Sequence, residues 1–214
     1  MDEYTFPFST CEVPYHTNDN IVQPYSFIIN IISMAFLLYA SLTTNNYYIV
    51  AFFTILFIFE GVHAYSHYKH LSGDIQIKII HTIAYLANIS YLLAFINITK
   101  IIPSIQIFML YTIIIILDTY FFIHKKFIGY FFTQLIFIII TNIYYYRFVY
   151  HKIPYQYIYT LIFLMLLLII LFFNEIYNCK KMLEYYQFPY HTIIESVGVM
   201  IFVLYIFILK KLDD

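Results

Sequence analysis

Charge is scarce in this sequence. Asp, Glu, Lys and Arg supply 11% of its 214 residues and hydrophobic residues 63%, which excludes an ordinary soluble domain, where about a quarter of residues are charged. The net charge is −1 and no basic stripe is present, so nothing recommends a nucleic-acid partner. Linkers rich in Pro, Gly or Ser are absent, as are repeats of solenoid period; a single domain over 1–214 is expected, with a short polar N-terminal segment at 1–25. Tryptophan is missing while Ile, Tyr and Phe abound, a compositional bias with no functional content. No lysine falls between His191 and Leu209, which excludes a retinal Schiff base in the last apolar run.

Apolar sequence in long runs is what the chain does have. A bilayer core takes roughly 20 apolar residues per helix, and such windows fall at about 26–44, 47–66, 76–97, 104–123, 127–146, 155–174 and 190–209. The expected fold class is an all-α integral membrane protein, a bundle of seven transmembrane helices. The first twenty residues are acidic and polar rather than basic then apolar, unlike a cleavable secretory signal. Seven spans put the termini on opposite faces; the N-terminal face is side A. Lys69, Lys125, Lys126, Lys180 and Lys181 on side A balance Lys100, Arg147, Lys152, Lys210 and Lys211 on side B, so the positive-inside rule assigns no orientation.

Against this background the stretch "EGVHAYSHYKH" stands out. Glu60, His63, His67, His70 and Asp74 follow an i, i+3, i+7, i+10, i+14 pattern on one helical stripe, with Ser66 beside it. His81 early in the third span, and Gln187 with His191 at the start of the seventh, reach the same side of the membrane. Ionisable groups inside a bilayer cost roughly 2.5–3.5 kcal/mol at a helix centre and usually face a cavity or each other. A lone interfacial histidine is more often a hydrogen-bonding residue than a ligand. Histidines arriving from three spans favour a functional site: imidazole suits zinc, and a catalytic zinc takes three protein ligands plus a water. His70, His81 and His191 are the candidate set. Asp118 and Glu195 read as interfacial or helix-packing residues without a role.

Four stretches together resemble the alkaline ceramidases, seven-span metal hydrolases related to the adiponectin receptors and Per1-like proteins. "CEVPY" at Cys11–Tyr15 resembles that family's Trp-Cys-Glu-x-Asn-Tyr, and Asn30 with Ser33 resembles its Trp-Asn-Thr-x-Ser. Ser66 and His70 fit Ser-x-x-x-His at the end of the second span. "FFNEIYNC" resembles Phe-Trp-x-x-Asp-x-x-x-Cys, with Glu175 in the acidic position and Cys179 four residues on. "QFPYHTIIESVG" resembles His-x-x-x-His-x-x-x-Gly, with Gln187 and His191 in the two histidine positions.

The resemblance implies a zinc-dependent intramembrane amidase that hydrolyses a ceramide-like membrane lipid to fatty acid and sphingoid base. It makes His70 and His191 zinc ligands and Ser66 the residue that contacts the water or oxyanion. The family's aspartate, eleven residues beyond its second-span histidine, corresponds here to His81; anchoring on His63 instead lands on Asp74 but puts Phe59 in the serine position. In the preferred register one imidazole is lost at Gln187 and one gained at His81. His67, His63 and Asp74 are candidates for the general acid, with Gln187, His67 and Asp74 also possible around the metal. Of the calcium site that the resemblance implies, Glu12 remains, while Pro14 and Phe27 replace an asparagine and a glutamate. The resemblance also pairs Cys11 with Cys179, the only cysteines, as a disulfide. That pairing needs an oxidising, lumenal or external side A; the expected setting is an endoplasmic reticulum or Golgi-type membrane with the N-terminus lumenal and the C-terminus cytosolic.

Two other classes compete. A proton- or ion-relay transporter predicts polar residues running on toward side B, where Asn88 and Ser90 are the deepest of the third span. A receptor-like or catalytically degenerate relative, motivated by Gln187, predicts bound metal without turnover.

Overall fold

The computed structural model describes residues 23–69, 74–124, 126–186 and 189–213. Its helices are α1 (Pro24–Thr43), α2 (Tyr47–Lys69), α3 (Asp74–Thr99), α4 (Ile105–Ile123), α5 (Phe127–Val149), α6 (Tyr155–Tyr186) and α7 (Tyr190–Asp213), with a 3-10 turn at Tyr150–Lys152. Seven helices are long and apolar enough to cross a bilayer, and no strand accompanies them among the described residues. The chain is therefore a multi-pass membrane protein built as an all-α bundle.

Local sequence places the helix ends. Pro24 opens α1, and Pro103, Pro154 and Pro189 each stand within two residues of the start of α4, α6 and α7, where a missing N–H costs nothing and a fixed φ favours the first turn. Asn46 caps α2: its Oδ1 accepts the Tyr48 N–H at 3.1 Å. After α3, Lys100 takes a left-handed φ of 56°, which stops the helix and turns the chain. A side chain at Gly129 would bring its Cβ within 2.6 Å of the Phe121 ring, so glycine permits the close turn from α4 into α5.

In space α1 lies between α2 and α7; α3 packs against α2 and α5, α4 against α5, and α6 against α7. Between α5 and α6 the contact is made by rings: Phe131 stacks on Phe172 at 4.0 Å and Phe132 tilts over Phe173 at 5.5 Å. α4 and α6 expose Phe108, Met109, Ile116, Phe163, Leu166 and Ile170, as lipid-facing helices do. The main apolar core, including Leu37, Phe53, Tyr91, Ala94, Tyr145 and Leu209, fills the half toward side B.

Lipid is as apolar as that core, so tight packing and interhelical hydrogen bonds rather than hydrophobic transfer hold the helices together. Tyr91 donates to Asn142 Oδ1 at 2.5 Å and Asn142 Nδ2 donates to Tyr205 Oη at 2.8 Å, linking α3, α5 and α7. On side B, Asn46 Nδ2 reaches Asn97 Oδ1 at 2.9 Å and Asp213 Oδ1 at 2.8 Å, and Lys210 donates to Thr43.

Candidate metal centre

With the side B half filled by aromatic and aliphatic packing, the ionisable residues of α2 and α7 meet nearer side A. Each helix offers an i, i+4 pair on one face, His63 with His67 and His191 with Glu195. One ligand atom from each lies within 4.8 Å of all the others. His63 Nε2 and His67 Nε2 are 3.2 Å apart. Glu195 Oε1 stands 3.5 Å from each of them and 2.8 Å from His191 Nε2. Zinc bonds of about 2.0–2.2 Å in tetrahedral array set ligand atoms roughly 3.3–3.6 Å apart. Three of these separations already fall close to that edge, and the His191–Glu195 hydrogen bond needs to open by less than an ångström. The group could hold a metal ion.

The outward ring nitrogens reinforce this geometry. His67 Nδ1 faces Gln23 Oε1 at 2.5 Å and His191 Nδ1 faces Glu175 Oε1 at 2.8 Å. Because these partners accept, both Nδ1 atoms donate and both Nε2 atoms face inward, the orientation that metal-binding histidines take. His191 thus meets a carboxylate at each ring nitrogen, and the Nε2–Glu195 contact calls for a positive charge there, a second proton or a metal ion. His63 Nδ1 has no hydrogen-bond partner among the described residues. From α1, the Asn30 amide nitrogen, turned toward the carboxylates as two acceptors require, donates to Glu60 Oε2 at 3.0 Å and Glu195 Oε2 at 2.8 Å. Glu60, His67 and Glu175 are almost completely buried, so such contacts are needed to keep polar groups stable at this depth.

The cluster borders a cavity of about 330 Å³. Ser33, Glu60, His63, His191 and Glu195 line its polar side, while Leu56, Phe59, Leu168, Phe172 and Phe202 contribute to an apolar wall. Asn88 and Gln134 form a second, smaller polar patch in that wall.

The structure redistributes the residues expected from sequence. His191 and His67 are central. His81 is not with them: its Nε2 lies 3.0 Å from Asp118 Oδ2 and its ring stacks on Phe122 at 3.8 Å. Depth in the membrane follows from residue count, but α3 turns this side chain toward α4 rather than toward α7. Ser66 is buried and donates to the His63 carbonyl at 2.6 Å; it does not line the cavity. His70, Gln187, Cys11 and Glu12 lie outside the described residues, as do the side chains of Asp74 and Cys179. Of the two residues read as interfacial or helix-packing, Asp118 joins α3, α4 and α5 through a buried network, whereas Glu195 meets three imidazoles and belongs with the candidate metal group. Glu195 was detectable as the residue four beyond His191; the discriminating signal was its place on the same face of an otherwise apolar helix. Compared with protein-family models, curated proteins and solved structures, the chain matches none.

Proposed function

We propose that this protein is a zinc-dependent intramembrane amidase acting on ceramide-like lipids. The observation that carries the reading is the convergence of His63, His67, His191 and Glu195 on the edge of a cavity whose remaining wall is mostly apolar. Three imidazole nitrogens and a carboxylate oxygen within 4.8 Å of one another fit zinc. Bound there, the ion would supply a water acidic enough to be deprotonated near neutral pH. In this reading the three histidines hold the metal. Glu195, fixed by Asn30, accepts a proton from the attacking water and returns one to the leaving nitrogen. An oxygen–carbon bond forms, the amide C–N bond breaks, and the products are a fatty acid and a sphingoid base. The apolar wall takes the acyl chains, so the amide can reach the polar side without the lipid leaving the membrane. The same reading places side A in the lumen and pairs Cys11 with Cys179.

The test is metal content and lipid-amide hydrolysis by purified wild-type protein beside His67→Ala and His191→Ala. About one zinc per chain, lost in both variants together with release of fatty acid, supports the amidase. Zinc without hydrolysis across a panel of lipid amides makes the protein a binding or receptor-like relative. Metal-free wild-type protein, purified without chelator, removes the mechanism.

A second reading, a proton or ion relay, draws on the hydrogen-bonded polar groups deeper in the bundle: Asn88 with Gln134, then Tyr91, Asn142 and Tyr205. Flux across reconstituted vesicles, abolished by Asn142→Leu, would favour it over hydrolysis.

A further inference from the structure

Asp118 takes no part in the metal centre, yet it is 2% exposed and its carboxylate is surrounded by donors. Oδ2 faces His81 Nε2 at 3.0 Å. Oδ1 accepts from Thr133 Oγ1 at 2.6 Å and from Gln134 Nε2 at 2.8 Å. A carboxylate can only accept, so it fixes which way the Gln134 amide points. Its nitrogen turns to Asp118 and its oxygen turns to α3, where Asn88 Nδ2 donates to it. The orientation of Asn88 is thereby fixed as well, with its nitrogen spent on Gln134. Asn88 Oδ1 accepts no hydrogen bond among the described residues.

Asn88 is 9% exposed and borders both the cavity that also holds His63, His191 and Glu195 and a much smaller one beside Asp118. Ala84 and Ala87, small residues on the same helix, line the cavity beside it and leave the approach open. An acceptor at a cavity surface that no protein donor meets is available to a ligand that brings a donor. We propose that Asn88 Oδ1 is the recognition point for an O–H or N–H donor of the lipid held in this cavity. Asp118 acts as the positioning group through Gln134, and His81 holds the other carboxylate oxygen. The assignment rests on the lipid-binding part of the proposed function and needs neither metal nor turnover. It also gives His81 a place in ligand selection rather than in metal binding.

The experiment is competition binding to the full chain in lipid nanodiscs. Three lipid amides are compared: a parent with a free hydroxyl and amide N–H, its O-methyl ether, and its N-methyl amide. Wild-type protein should bind one of the two methylated lipids about tenfold more weakly than the parent, the size of one hydrogen bond at an apolar site; which one identifies the donor. Asn88→Leu should bring the parent down to that analogue and close the gap, and Asn88→Ala, which adds no bulk, should do the same if the leucine variant does not fold. Asp118→Asn, whose amide no longer dictates how Gln134 points, should narrow the gap while leaving binding of the methylated lipid unchanged, an outcome that simple loss of fold would not give. Equal binding of all three lipids by wild type, or a gap that survives in both Asn88 variants, overturns the assignment. Wild-type protein that carries no metal when purified without chelator yet still discriminates would overturn the amidase reading alone; failure to bind any lipid amide saturably would overturn both.

Discussion

The molecule holds two buried groupings of imidazole and carboxylate, and they solve opposite problems. Between α2 and α7, His67 and His191 direct Nδ1 outward to Gln23 and Glu175 and turn Nε2 inward, where Glu195 meets both. Among α3, α4 and α5, Asp118 is met by an imidazole, a hydroxyl and an amide N–H. The first gathers three imidazoles and a carboxylate that could hold a metal ion; in the second, protein donors already meet both oxygens of Asp118. Residue type and depth are alike in the two places. What separates the candidate metal group from the scaffold is the partner of Nε2: a shared cluster for His63, His67 and His191, a single Asp118 carboxylate for His81.

The sharpest way to break this contrast is metal stoichiometry. His67→Ala and His191→Ala are expected to lose essentially all bound metal, whereas His81→Ala should retain it at the wild-type level; elemental analysis of the purified proteins decides, and loss of metal in the His81 variant would erase the distinction. Next in size is the outer support of the first group. Glu175→Gln should weaken metal binding roughly 10–100-fold, read by competition with a chelator of known affinity, because the amide holds His191 less firmly than a carboxylate does. For the second group the effect should appear in stability instead. Asp118→Ala strips partners from Thr133, Gln134 and His81 and is expected to cost about 1–3 kcal/mol, seen as a lower thermal midpoint in detergent with metal content unchanged. Smallest is Tyr205→Phe, which removes one interhelical hydrogen bond worth about 0.6 kcal/mol and should barely move that midpoint.

The spans were legible because a bilayer imposes a length and an apolar composition that tertiary contacts cannot override. Helices α2, α4 and α7 begin within a residue of the expected windows, at Tyr47, Ile105 and Tyr190. At α6 the helix runs on to Tyr186, past the apolar window ending near 174, because hydropathy marks where lipid ends and backbone hydrogen bonding marks where a helix ends. The α2 stripe was legible too: Glu60, His63 and His67 share a face by spacing alone. What spacing did not supply was the rotation of one helix relative to its neighbours. His81 sits at the expected end of α3 but points to Asp118. Glu195, a single carboxylate in an apolar helix, became meaningful only when α7 was set against α2.

Gln23 has a consequence for anyone handling this protein. Its backbone N–H donates to the His67 carbonyl at 3.0 Å while its side chain holds the His67 ring, so the residue just ahead of α1 is clipped twice to a candidate ligand of α2. A change at Gln23 therefore acts on His67 at both its backbone and its ring. Gln23→Ala is thus a way to loosen the cluster without changing any of its four residues.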